Sequence, residues 1–226
     1  MEGRAHNGYS WEHIRSRWQS LKKISRSTLL RLRRLTLKKV LNRLAGLIYK
    51  RATLLVISKL LDAPPVVQVP HIPVECKLLN RSNTRQISRL NGMSRERIVE
   101  FFTHGGKCLG AFYQGKLVGF SWCHYRDHHF PFFNYCLKVG DGVYIGPDYV
   151  VPEFRGCRIH GFLLTKMFAI LYAEGCRQVW SSVLKDNYAS IKGLKEAGFI
   201  PQQQVEVCRV LKTVVFHRRK ELSSWP

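Results

Sequence analysis

The chain has 226 residues, enough for one domain and an extension, and its composition (45% hydrophobic, 12% aromatic) is that of a globular protein. It contains no run of 18 apolar residues and no apolar signal stretch near its start, so neither a membrane-spanning helix nor secretion is predicted. Seven scattered cysteines without a C-x-x-C pair favour a reducing compartment and argue against a disulfide framework or a zinc site. We therefore expect a cytoplasmic protein without a metal centre.

The positive charge is concentrated at the start of the chain. Net charge is +22, and residues 1–60 carry 15 Lys and Arg against two Glu. Apolar residues recur at helical spacing from Ser27 to Tyr49 beside a basic face, which predicts a basic amphipathic helix. Such a helix fits an anionic membrane surface, on the inner face of the membrane, or docking on the protein's own domain. Nucleic acid is a less favoured partner, and a solvated basic face with no partner is the plain alternative.

Composition divides the chain into three parts. Residues 1–62 are predicted to be the basic helical extension, whose end, Thr53–Leu61, is either a strand or the last part of the helical arm. Residues 63–73 contain four prolines and are predicted to be an extended linker. The main domain is predicted to span residues 74–226.

Within that domain the pattern predicts strands and helices in mixed order. Gly146-Pro147 lies inside a predicted strand, and because proline cannot donate to a ladder we expect a bulge or an unpaired edge there. Residues 126–141 are predicted to be a long aromatic and His-rich loop. The predicted strands are 74–79, 108–113, 117–125, 143–151, 178–183, 203–209 and 211–217, and the predicted helices are 84–91, one opening at Ser94, one after Pro152 and 188–197.

The stretch from Asp148 to Met167 predicts a strand, a short polar loop and a helix. Leu163, Leu164, Met167, Phe168 and Leu171 share one face at helical spacing. The first four N–H groups of such a helix have no internal partner and carry the positive end of its dipole. This stretch is therefore predicted to bind a phosphate-bearing cofactor.

Two motifs carry a resemblance to a known family. V-V-P-E-F-R-G-C-R-I-H-G-F-L-L is followed about thirty residues later by N-Y-A-S-I-K-G-L-K-E-A-G-F. In this order and at this spacing they resemble the GNAT superfamily of acyl-CoA-dependent N-acetyltransferases, over roughly residues 74–217. The resemblance implies an α/β (α+β) fold, with a mixed, largely antiparallel sheet of six to seven strands flanked by helices.

The resemblance also implies the cofactor and the residues that bind it. The expected acyl donor is acetyl-CoA, with its pantetheine arm between the bulged strand and the next one. A main-chain N–H at Val150 or Val151 would polarise the thioester carbonyl. The implied cofactor-binding residues are Val150, Val151, Arg155, Gly156, Cys157, Arg158, Ile159, His160, Gly161, Asn187 and Ser190.

The chain departs from the family pattern at three positions. Arg158 and His160 stand where the loop usually has small residues, and Arg158 would add a charged contact to phosphate. Leu194 stands where relatives often have the tyrosine that protonates the leaving thiolate. A CoA thiol leaves with little help, and Tyr188 or Ser190 is the candidate substitute.

The general base is left open between several residues. It must lie within hydrogen-bond reach of the attacking amine or act through one water. Asp148 and Tyr144 lie on the bulged strand near the expected reaction centre, while Asp141 and the histidines of residues 124–129 are further candidates. For each of them a solvated or structural role is the plain alternative.

These observations predict an enzyme, an acyl-CoA-dependent N-acetyltransferase working by direct transfer in a ternary complex. The expected acceptor is a primary amine, with an amino sugar or an envelope-linked small molecule as the favoured class. The alternative is a GNAT-like domain that binds or acts on nucleic acid, tRNA or membrane through its basic arm, with weak or no catalysis.

Overall fold

A computed structural model describes residues 49–210 and 213–226 of the chain, and residues 51–226 form one compact unit. The amphipathic helix predicted for residues 27–49 thus lies, except for Tyr49, outside the described residues, and its membrane role stays a prediction. The strands are β1 (Tyr49–Leu60), β2 (Glu75–Leu79), β3 (Lys107–Tyr113), β4 (Lys116–His124), β5 (His128–Phe130), β6 (Tyr135–Leu137), β7 (Val143–Val150), β8 (Gln178–Leu184), β9 (Ile200–Val210) and β10 (Thr213–Glu221).

Within the described residues, four helices accompany these strands. They are α1 (Thr84–Asn91), α2 (Arg95–Thr103), α3 (Ile159–Ala173) and α4 (Tyr188–Glu196), with short 3-10 turns at Arg81–Asn83, Pro131–Phe133 and Pro152–Phe154. The helix ends follow local sequence: the Ser94 hydroxyl accepts a hydrogen bond from the N–H of Arg97 at the start of α2. The left-handed Gly92 ends α1.

Eight strands form one sheet in the order β10-β9-β1-β8-β7-β4-β3-β2. The pairings β10–β9, β1–β8, β7–β4, β4–β3 and β3–β2 are antiparallel, and β7–β8 is parallel. The mixed, largely antiparallel fold is as the sequence predicts. The sheet has one strand more than expected because β1 belongs to it.

The position of β1 corrects the predicted domain boundary. The sequence predicts that residues 49–60 belong to the extension, but they lie between β9 and β8 as an inner strand. Leu55 and Ile57 pack into one core cluster, and Leu54 and Val56 pack into the cluster on the opposite face. A strand covered on both faces has a continuous apolar sequence, which is why its periodicity did not distinguish it from a helix end.

Residues 63–73, which we call the strap, also differ from the predicted free linker. The strap contains neither helix nor strand, but it is attached to the domain. The N–H of Gln68 donates to Thr165 Oγ1 at 3.0 Å, and the N–H of His71 donates to the carbonyl of Cys157 at 2.9 Å. Ile72 packs against the main core. The strap is therefore part of the folded domain.

The main core lies between the sheet and α3. Leu163, Leu164, Met167, Phe168 and Leu171 form the predicted buried stripe of that helix. The loop expected at residues 126–141 is instead largely ordered as the β5–β6 hairpin, whose aromatic side chains join a second core cluster on the opposite face. Among the described residues, no helix is long and apolar enough to cross a membrane.

Candidate active site

A gap opens between β7 and β8 beside the N-terminus of α3. Within the described residues, β7 pairs with β8 only at Val143–Val179 and Tyr144–Trp180. At the next position the Ser181 hydroxyl donates to the carbonyl of Ile145 at 2.8 Å. Beyond this bridge the two strands diverge, so the main-chain groups along that edge of β7 face a groove.

The bulge predicted at Gly146-Pro147 produces this divergence. Opposite β4, Ser121 pairs with Asp148 and Cys123 pairs with Ile145, so β7 has one residue more than its partner. Proline has no N–H to contribute to the ladder, and the extra residue bends β7 away from β8.

The main-chain N–H groups of Val150 and Val151, the two candidates for polarising the thioester carbonyl, point in opposite directions. The N–H of Val151 donates to the carbonyl of Val118 on β4 at 3.0 Å, so it is already used. Because N–H groups alternate along an antiparallel strand, that of Val150 points to the other edge, toward the groove. The structure therefore contradicts Val151 as a donor and leaves Val150.

The loop before α3 presents several main-chain N–H groups at one place. The first internal hydrogen bond of α3 joins the N–H of Phe162 to the carbonyl of Arg158 at 3.0 Å. The preceding groups, at residues 158–161, have no partner inside the helix. Within the described chain, the side chain of Arg158 does not cap this end either. These donors, at the positive end of the helix dipole, suit an anion.

The backbone at Arg158 explains why the family pattern has glycine there. Arg158 has φ +60° and ψ +17°, a left-handed conformation that costs a side-chain-bearing residue about 1 kcal/mol or more. The backbone of the loop is thus left-handed at this residue. Gly156, two residues earlier, also has a positive φ of 85°.

On the opposite side of the groove, α4 contributes two of the predicted residues. The Asn187 side-chain oxygen caps this helix by accepting the N–H of Ser190 at 3.2 Å. Both residues line the groove. Leu194 is buried and also lines it, so an apolar side chain lies at the position where relatives often have a tyrosine.

Asp148 and His160 form a pair across the groove that the sequence did not predict. His160 Nε2 lies 3.2 Å from Asp148 Oδ2, and both side chains are largely buried. Asp148 Oδ1 is buried and has no hydrogen-bond partner within the described part of the chain. The His160 ring also lies against Gly193 of α4, where a Cβ would approach Nδ1 to 3.1 Å. A carboxylate with one unused acceptor is thereby held at the wall of the groove.

Tyr144 is at the inner end of the groove, and its environment is apolar. Its hydroxyl lies 2.9 Å from Ser182 Oγ, and its ring stacks on that of His128 at 4.1 Å. Burial raises the pKa of Tyr144 to about 12, which makes it a poor base near neutral pH. Burial also lowers the pKa of His124 and of His128 to about 4, so both are neutral. Neither histidine lines the groove.

The groove has a volume of about 880 Å³ and brings together most of the predicted site. The predicted residues that line it are Tyr144, Asp148, Val150, Arg155, Gly156, Arg158, Ile159, His160, Gly161, Asn187 and Ser190. Val151, Cys157 and Tyr188 do not. Cys157 packs against the main core, and Tyr188 is 77% exposed. Neither side chain thus lines the groove, and the roles of Tyr188 as a substitute acid and of Cys157 in cofactor binding stay predictions.

Two groove residues were missed because they come from the strap. Gln68 and His71 line the groove beside the loop before α3. The only sequence signal was the proline content of the segment, which indicates an extended chain and says nothing about where that chain lies.

Comparison with known proteins agrees with this arrangement. The sequence model of the acetyltransferase (GNAT) family matches residues 76–199, more than half of the chain. The chain belongs to the GNAT acetyltransferase family. Members of this family typically use acetyl-CoA. The matched region includes the bulged strand, the loop, α3 and α4, and it excludes β1, the strap and β10. No curated protein sequence matches closely enough to count as a relative.

Solved structures show the same GNAT fold at low sequence identity. One is a GCN5-related N-acetyltransferase from Sphaerobacter thermophilus, 18% identical with a TM-score of 0.53, over 81% of this chain and 56% of that one. Another is a GNAT-family structure from Novosphingobium aromaticivorans, 13% identical with a TM-score of 0.54, over 77% of this chain and 66% of that one. The chain thus spans less than two thirds of either structure.

The groove of this GNAT domain fits an acyl-CoA. The N–H groups at the start of α3 and the charge of Arg158 match a diphosphate. The gap between β7 and β8 leaves main-chain groups free to pair with the amides of a pantetheine arm. The His160 side chain also lines this path.

Proposed function

We propose that this protein transfers an acetyl group from acetyl-CoA to a primary amine, by direct attack within a ternary complex. The observation that carries the proposal is the convergence of three features in one groove. These are the open N–H groups of α3, the gap between β7 and β8, and the Asp148 carboxylate.

Each of these features has a chemical role. Acetyl-CoA supplies the thioester. The diphosphate lies at the N–H groups of residues 158–161, and the N–H of Val150 donates to the thioester carbonyl, where negative charge develops. One such donor contributes about 3–4 kcal/mol to the transition state.

Asp148 is the favoured general base. Its Oδ1 is buried and has no hydrogen-bond partner in the described chain, while its Oδ2 is held beside His160 Nε2. It accepts the proton of the attacking amine, directly or through one water, as the C–N bond forms and the C–S bond breaks. CoA then leaves as the thiolate, because Leu194 offers no proton. Ser190 is the remaining hydroxyl candidate on α4 for returning one.

The test combines binding with turnover. Acetyl-CoA should raise the melting temperature of the full chain. Mass spectrometry should then find an acetylated product in a panel of amino sugars, polyamines, peptides and aminoacyl-tRNA. With the acceptor in hand, Asp148→Asn should lower kcat by about a hundredfold or more, since general base catalysis contributes about 10²–10⁴.

Asp141→Asn is the matched control, because Asp141 is an exposed carboxylate just before β7 and outside the groove. This control should retain both activity and CoA binding, and Asp148→Asn should retain CoA binding alone. No thermal shift at millimolar acetyl-CoA would refute the proposed function. Equal kcat values for Asp148→Asn and the wild type would refute the assigned base.

A further inference from the structure

The strap passes directly over the part of the groove assigned to the diphosphate. Its two main-chain contacts attach it on both sides of this place: Gln68 to Thr165 on α3, and His71 to Cys157 in the loop. Thr165 in turn donates to the carbonyl of Gly161 at 2.8 Å, so the Gln68 backbone is linked through one hydroxyl to the first turn of the helix.

The side chain of Gln68 extends over that first turn. A Cβ at Gly161 would overlap Gln68 Oε1, with Nε2 3.6 Å away. Gly161 has an ordinary helical backbone and no need of glycine for its φ angle. The Gln68 carboxamide therefore occupies the space that a side chain at position 161 would fill, and a larger residue there would displace it.

A carboxamide in this place has useful chemistry for an anion. Glutamine carries two N–H donors and one carbonyl acceptor on the same group. In the structure its oxygen lies toward Gly161 in the first turn of the helix. Turned by half a rotation about its last side-chain bond, it presents its N–H donors to a phosphate oxygen instead. Both arrangements keep the strap in position.

We propose that the strap forms the outer wall of the diphosphate subsite, where Gln68 donates a hydrogen bond to the diphosphate of the acyl-CoA and His71 lies beside it. Both residues precede the family-matched segment, which begins at residue 76. This contact is thus supplied by the part of the chain that is outside the common GNAT motif. The inference rests on the proposed acyl-CoA site and adds a residue to it.

Calorimetric titration of the full chain tests this contact with three probes: CoA, 3′-dephospho-CoA and pantetheine. Gln68→Ala should weaken CoA and 3′-dephospho-CoA binding by about tenfold, because a hydrogen bond to a charged group is lost. Pantetheine has no diphosphate, so its weaker binding should not change. Gln68→Glu should weaken CoA binding further, and the loss should shrink at high salt because the new carboxylate repels the diphosphate.

Val69→Ala is the matched control, because Val69 is the next strap residue, is 77% exposed and does not line the groove. It should bind all three probes like the wild type, and melting curves without ligand should agree among the variants. Equal CoA affinity for Gln68→Ala and the wild type would overturn the inference while leaving the proposed function intact. A loss that extends to pantetheine would also overturn it, since it would indicate a general structural effect. No CoA binding by the wild type would overturn both proposals.

Discussion

Two buried histidines should make the domain lose stability in mild acid. His124 and His128 lie with ring centroids 5.9 Å apart, beside the rings of Trp122 and Tyr144. Burial lowers the pKa of each from an ordinary 6.5 to about 4. The folded state therefore resists a protonation that the unfolded chain accepts. This contribution to stability is complete above pH 6.5 and is lost as the pH falls from 6.5 toward 4.

The size of the effect follows from these pKa values. At pH 5 a histidine in the unfolded chain is almost fully protonated, whereas the folded one is largely neutral. Each site therefore lowers the free energy of unfolding by about 2 kcal/mol between neutral pH and pH 5. Together the two sites lower the free energy of unfolding by about 4 kcal/mol. This is a large part of the roughly 5–15 kcal/mol by which most domains are stable. The pKa values of Glu75, Asp127 and Glu174 are held below their ordinary range by nearby lysines. These carboxylates therefore titrate below pH 5.

The assay is urea unfolding followed by circular dichroism at pH 7.5, 6 and 5. His128→Phe keeps a ring against Tyr144 but removes one titrating site, so its loss of unfolding free energy between pH 7.5 and 5 should be about half that of the wild type. His129→Phe is the control, because His129 is the neighbouring exposed residue of β5. The unfolding free energy of this variant should fall between pH 7.5 and 5 by as much as that of the wild type. Constant wild-type stability across this range would refute the reasoning, as would an undiminished loss in His128→Phe.

Two further predictions concern the walls of the groove. Asn187→Ala removes the cap of α4 and should lower the free energy of unfolding by about 1 kcal/mol, measured by urea titration; a change within error would show that the cap contributes nothing. Arg158→Gly relieves the left-handed backbone at φ +60° and should raise stability by about 0.5–1 kcal/mol, while loss of the guanidinium weakens CoA binding. A less stable Arg158→Gly variant, or one with unchanged CoA affinity, would contradict the respective half of that prediction.

Most of the fold was predictable because its elements carry local signals. The stripe on α3, the Ser94 cap and the β3–β4 hairpin each follow from short-range chemistry. The exceptions are β1, the strap and the β5–β6 hairpin. In these segments the sequence shows apolar, proline-rich or aromatic residues, but the partner that orders them is distant in the chain. For β1 that partner is β8, where Leu55 pairs with Val183.

The candidate site divides in the same way. Gly146-Pro147 predicted the bulge because a missing N–H is a property of the residue itself. Whether the N–H of Val150 or that of Val151 faces the groove could be decided only from the hydrogen bonds with β4, because N–H groups point alternately to the two sides of a strand. The contact between Asp148 and His160 depends on the orientation of α3 relative to the loop before it. The sequence contains no signal for that orientation, so the contact could not be predicted.

By itself, the sequence determined the family, the strand–loop–helix that presents N–H groups to an anion, and the position of the bulge. These features depend on motifs and spacings within one stretch of about fifty residues and on the covalent properties of proline and glycine. Only the tertiary structure decided which N–H faces the groove, where Tyr188 and Cys157 lie, and that Gln68 reaches Gly161. These depend on contacts between segments that are distant in the chain, which form when burial of apolar surface brings the strap, the sheet and α3 together.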